Sequence, residues 1–155
     1  MKVIYYGDAT AYAAYGMAAI HLGIYNENEV PHRDDIMKQW KSCLTSSIPR
    51  GNLVYMGLDE MLREVYVIGC GSHGRMVKKA YKGFGELYEI HEDILYIDAG
   101  PWEGGARILA SLSKNYPLIE PIARRIYIRW FKRIYPLWSA RVRKGWEMAF
   151  KGEMT

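Results

Sequence analysis

Two short apolar runs, Leu53 to Met56 and Glu64 to Ile68, are separated only by Gly57-Leu58-Asp59-Glu60-Met61-Leu62-Arg63. That gap suits a β-hairpin and is too short for a helical crossover, which needs about a dozen residues or more. A sheet holding both runs therefore contains an antiparallel pair. Beyond Ile68 come a glycine cluster, a helix-like stretch from Arg75 to Tyr88, and a strand from Ile94 to Ile97 ending at Asp98. This is a βαβ unit of ordinary length, which makes its strands parallel. The sheet is expected to be mixed.

The remaining segments fit the same plan. Val3 to Gly7 is rich in β-branched and aromatic residues and reads as a strand, followed by a polar break at Asp8 and Thr10. Ala11 to Leu22 is small and apolar with Gly23 placed as a C-cap, so a tightly packed helix follows. Pro31 to Trp40 sets Ile36, Met37 and Trp40 at helical spacing, with Asp34 and Asp35 near the positive helix end. Gly100-Pro101 turns the chain into a helix around Ala106 to Leu112. The expected fold is α/β: a small mixed, mostly parallel sheet flanked by helices, three-layered and Rossmann-like or P-loop-like, with a C-terminal helical tail. It is read as a single domain over residues 1–155, with a basic amphipathic tail at 121–150 packed on it.

With 155 residues, half of them hydrophobic, the chain is long enough to bury a core. Its apolar runs are broken well short of the roughly 18 to 20 residues of a membrane span. Met1 and Lys2 lead straight into Val3-Ile4-Tyr5-Tyr6 with no signal-peptide pattern, and the expectation is a cytoplasmic protein. Cys43 and Cys70 are too few and too far apart for a disulfide framework and are expected reduced. His21, His32, His73 and His91 share no zinc-binding spacing, so no metal is expected; no cofactor is specified. Charge is divided unevenly: residues 1–120 hold 12 Lys/Arg against 15 Asp/Glu, and residues 121–155 hold 9 against two. Such asymmetry points to a contact surface.

The opening Lys2-Val3-Ile4-Tyr5-Tyr6, the helix end Ala18-Ala19-Ile20-His21-Leu22-Gly23, and Gly57-Leu58-Asp59-Glu60 leading to Glu64-Val65-Tyr66-Val67-Ile68-Gly69 occur in this order. In these segments the chain resembles domain-of-unknown-function family 3189, an uncharacterised family of spore-forming Gram-positive bacteria, as a divergent member. The likeness covers most of the chain and carries no chemical signature. Family members bear a cysteine, paired glycines and a His-Ser-Ser in the loop after the first strand, where this chain has Asp8-Ala9-Thr10-Ala11-Tyr12-Ala13-Ala14-Tyr15. The resemblance implies that any family chemistry in that loop is lost or changed here.

Two loops are candidates for holding an anion. Gly69-Cys70-Gly71-Ser72-His73-Gly74 matches GxGxxG between an expected strand and an expected helix that begins near Arg75, and Asp98 stands where a ribose-binding acid belongs. The competing reading is a tight turn with a left-handed glycine. Asp8, Thr10 and Tyr12 follow the first strand, at the edge where open α/β sheets bind ligands. Against this, Thr10 reads equally as a helix N-cap and Asp8 as a turn former. Cys70, beside Ser72 and His73 at a helix start, is either a lowered-pKa thiol or a small buried hydrophobe.

In the tail, Ile122, Ala123, Ile126, Tyr127, Trp130, Phe131 and Ile134 fall on one side and Arg124, Arg125, Arg129, Lys132 and Arg133 on the other, with a break expected at Pro136. Trp138, Val142 and Trp146 continue the apolar side. The leading functional reading is binding, with or without turnover, of a small anionic or phosphorylated ligand at the strand ends. The alternative is a non-catalytic interaction module. It would self-associate as a homo-oligomer, or meet a partner, through Arg125, Arg129, Trp130, Lys132, Arg133 and Trp138, with nucleic acid or a membrane surface as the less favoured partners.

Overall fold

Strand β1 (Lys2–Gly7) is apolar on both faces because both are packed against other elements, and it is central: β3 (Glu64–Gly69) and β4 (Ile94–Asp98) each pair with it in parallel. Doubly covered parallel strands need such near-continuous apolar runs. Strand β2 (Leu53–Leu58) pairs antiparallel with β3, which gives the order β2-β3-β1-β4. The hairpin expected from the short gap is thus present, and the sheet is mixed, mostly parallel and open. The computed structural model describes residues 1–8, 11–45, 51–89 and 93–150. Thr10 and His91 lie outside the described residues, as do Ser46, Ser47 and Pro49 of the loop before β2.

The two faces of the sheet are covered unequally. Val3, Tyr5, Val67 and Ile97 point into the main core with α1 (Tyr12–His21), α2 (Arg33–Thr45), α4 (Gly104–Asn115) and α5 (Glu120–Phe150). Ile4, Ile68, Cys70 and Tyr96 face the other way, under α3 (Gly74–Leu87), which offers only Val77 and Tyr81 to them. Helix α1 ends as its sequence suggests: Gly23 takes φ 68°, and the Leu22 N–H bonds the Ala18 carbonyl at 3.0 Å. Its middle is pressed against α5, since a methyl on Gly16 would overlap the ring of Trp138.

Helix α5 departs from expectation by running through Pro136 without a break. The proline removes one hydrogen bond, to the carbonyl of Lys132. Pro136 and Lys132 both lie on the exposed side, while Phe131, Tyr135 and Trp138 hold the opposite side in the core. The buried stripe is Ala123, Tyr127, Phe131, Tyr135, Trp138 and Val142; Ile122 and Ile126, on the apolar side expected from the sequence, stand outside it.

The β2–β3 turn is organised by Asp59. Its Oδ1 accepts the N–H groups of Met61 (2.9 Å) and Arg63 (2.8 Å), and its Oδ2 accepts Arg63 Nε (2.6 Å) and His21 Nε2 (3.0 Å). The turn forces Leu62 to φ 57°, a left-handed conformation costly for a residue with a Cβ, while leaving its side chain 78 % exposed. Leu62→Gly is therefore expected to stabilise the protein by about 0.5–1 kcal/mol. A urea titration should show the midpoint rise with unchanged slope.

Candidate functional site

Helix α1 leaves β1 toward one face of the sheet, and α3 leaves β3 toward the other. Adjacent parallel strands whose connections diverge leave a crevice at their carboxyl ends, the usual ligand position in open α/β sheets. A cavity of about 210 Å³ lies there. Tyr6 and Gly7 line it from β1, Gly71, Ser72, Gly74 and Arg75 from the loop and helix after β3, and Asp98, Gly100 and Pro101 from the end of β4.

The glycines have separate reasons. Gly71 has φ 60° and opens a single 3₁₀ turn, Gly71–His73, that runs into α3. Gly74 lets the ring of Tyr6 come close, since a Cβ there would lie 2.9 Å from Tyr6 Cδ2. Gly69 is a buried strand residue whose carbonyl accepts the Gly51 N–H at 2.9 Å. Asp98 is held in place: its Oδ1 accepts the Gly100 N–H at 2.9 Å, and the Tyr6 hydroxyl donates to its carboxylate. Burial, with the neighbouring Asp98, pushes the Tyr6 phenol up to about 12, so Tyr6 stays a neutral donor. Ser72, His73 and Arg75 are exposed, and His73 does not line the cavity.

Of the residues singled out from sequence, Gly71, Ser72, Gly74, Arg75 and Asp98 meet around this cavity. Asp8 is half-buried and is not among the lining residues. Tyr12 turns inward: it is fully buried, stacked on Trp40 at 5.6 Å between ring centroids and packed on Tyr127. A side chain at the start of α1 faces either the crevice or α2, and the aromatic cluster takes it. Cys70 is buried, and burial pushes its thiol up to about 11, which makes it a packing residue and not a reactive thiolate.

Glu103 is the residue that sequence reasoning passed over. Its side chain is 1 % exposed, and its Oε1 accepts the N–H groups of Ala13 (2.9 Å) and Ala14 (3.2 Å) at the start of α1. Burial outweighs these bonds and raises the carboxyl to about 8. Gly7 makes room for it, since any Cβ at that position would collide with Oε1. The positive end of α1 is thus filled by the protein's own carboxyl group. Of the two loops that sequence offers to an anion, the one after β3 borders the cavity while the start of α1 is occupied. The only hint in the sequence is an acid placed just before Gly104-Gly105.

A second polar cluster sits at the opposite edge of the sheet. The Tyr5 hydroxyl and His21 Nδ1 are 2.7 Å apart, and His21 Nε2 reaches Asp59. Burial lowers the His21 pKa, so the ring is neutral, with Nε2–H donating to Asp59 and Nδ1 accepting from Tyr5. Burial opposes ionisation of Asp59, but the bonds from His21 and Arg63 prevail and lower its pKa. In α5, Arg125, Arg129, Lys132 and Arg133 are exposed, Trp130 is half-buried against Gly105, and Trp138 is wholly buried. Trp138 therefore offers nothing to a partner; it belongs to the core. Among the described residues, no group of three or more His, Cys, Asp or Glu is placed to hold a metal ion, and no helix is long and apolar enough to cross a membrane.

No curated protein and no solved structure matches the chain. The family model of a protein of unknown function, DUF3189, matches residues 2–144. The match spans every strand and the helices through most of α5, so the chain belongs to the DUF3189 family.

Proposed function

We propose that the protein binds a small ligand carrying both an anionic group and hydroxyl groups, of sugar-phosphate size, in the crevice between the carboxyl ends of β1 and β3. The supporting observation is that Arg75 and Asp98 border one cavity of about 210 Å³. A guanidinium beside the first N–H groups of a helix favours phosphate, while a fixed carboxylate repels a bare anion and accepts bonds from hydroxyls. The volume lies below the roughly 300–1,000 Å³ typical of sites for drug-sized ligands, which disfavours a dinucleotide. Asp98 is on β4, with β1 between it and the glycine loop, whereas a dinucleotide site places its acid on the strand next to that loop.

Thermal unfolding with ribose 5-phosphate, adenosine monophosphate and inorganic phosphate tests the reading. A sugar phosphate at about one hundred times its Kd should raise Tm by roughly 5–10 °C. Arg75→Ala should abolish the shift. Asp98→Asn should leave phosphate binding intact while removing the preference for the sugar. If none of the three ligands moves Tm at millimolar concentration, the reading is wrong.

A further inference from the structure

Helices α4 and α5 form an antiparallel hairpin joined by the short turn Pro117–Ile119. Gly105 packs against Trp130, and the same hairpin carries Ile108 and Leu112 on α4 and Ile122 and Ile126 on α5. These side chains are left in solvent: Leu118, at the tip, is 95 % exposed, and Ile108 and Ile122 are each 59 % exposed. Aliphatic surface concentrated on one feature in this way marks an interaction site. Around it, Arg125, Arg129, Lys132 and Arg133 are exposed and make no ion pair among the described residues. From Pro121 to Trp146 the helix holds eight Lys/Arg and no Asp or Glu.

We propose that this hairpin docks on an anionic lipid surface, with Leu118, Ile122 and Ile108 entering the acyl boundary and Arg125, Arg129 and Arg133 lying among the headgroup phosphates. Charge complementarity selects this occupant. A second copy laid face to face would bring two uniformly basic surfaces together. A nucleic acid would leave the aliphatic tip against phosphates, and of the rings on α5, Tyr127, Phe131, Tyr135 and Trp138 are inside the core. Basic residues interleaved with aliphatic ones suit an interfacial helix, which lies on a bilayer without crossing it.

Flotation with phosphatidylcholine vesicles, with and without phosphatidylglycerol, tests this on the full chain. Binding is expected only with phosphatidylglycerol and should fall as salt rises. Arg125→Gln with Arg129→Gln should weaken it about thirtyfold, and Leu118→Ser about tenfold. These positions are exposed, so an unchanged Tm verifies that the fold is intact. The proposal fails if anionic vesicles do not bind at low salt, or if neutral vesicles bind equally well. It also fails if Leu118→Ser has no effect on vesicles while a DNA duplex binds more tightly, or if ultracentrifugation shows a dimer that Leu118→Ser dissociates.

Discussion

Trp138→Ala should cost about 3–5 kcal/mol, the range for emptying a fully buried tryptophan site. The indole is completely enclosed, edge-on to Phe131 at 5.0 Å and to Trp130 at 5.6 Å between ring centroids, with its outer edge over Gly16 of α1. Its Nε1 has no hydrogen-bond partner, so truncation strands no polar group and the loss is one of packing alone. The surroundings cannot close the void readily, because α1 and α5 are already in contact at a glycine. Domains of this kind have about 5–15 kcal/mol to lose, so a urea titration should show roughly a fifth or more of the stability gone. Trp138→Phe should cost distinctly less. The complementary change, Gly16→Ala, should destabilise by about 1–3 kcal/mol through overpacking. A Trp138→Ala protein within 1 kcal/mol of the parent, on the order of ordinary surface substitutions, would contradict the packing described.

The pH dependence should be dominated by Glu103. Its carboxyl titrates near 8 in the folded protein against a reference value of 4.5, so between these values the folded state holds a proton that the unfolded state has released. Stability therefore falls as pH rises through that window, and above it the folded protein carries a buried carboxylate at full cost. The shift bounds the loss at roughly 5 kcal/mol, at 1.36 kcal/mol per pKa unit. Glu103→Gln retains an oxygen to accept the Ala13 and Ala14 N–H groups and cannot ionise. The two proteins should be nearly equal in stability at pH 5, and the variant should be several kcal/mol more stable at pH 9. Parallel stability curves across that range would show that Glu103 does not ionise as its surroundings dictate.

What could be read from the sequence follows the range of the interactions involved. The hairpin was legible because Gly57–Arg63 is a local constraint on length, and the β3-α3-β4 unit because Gly71, Gly74 and Asp98 punctuate it at short spacing. The same cluster supplied half the cavity lining. Glu103 was not legible because its bonds reach residues 90 and 89 positions away. Pro136 misled because its local preference for a break was outweighed by Phe131, Tyr135 and Trp138, whose contacts reach Tyr25, Asn26 and Gly16, far away in sequence. Ile122 and Ile126 misled for a related reason: hydrophobicity says which side chains would benefit from burial, and the position of α4 decides which ones obtain it.

Helix α1 depends on the far end of the chain. Glu103 caps its start, Trp138 covers its middle, and the Tyr135 hydroxyl reaches the Asn26 carbonyl beyond its end, 109 positions away in sequence. During synthesis at about 5–20 residues per second, β1 and α1 emerge some five to twenty seconds before the segments that cover them. Through that interval an Ala-rich helix and a bare apolar strand are exposed together, beside an unpaired strand edge. The nascent chain is thus an aggregation hazard that its own C-terminal helix removes, and a ribosome stalled before α5 should yield a product handled by chaperones and proteases rather than a folded fragment.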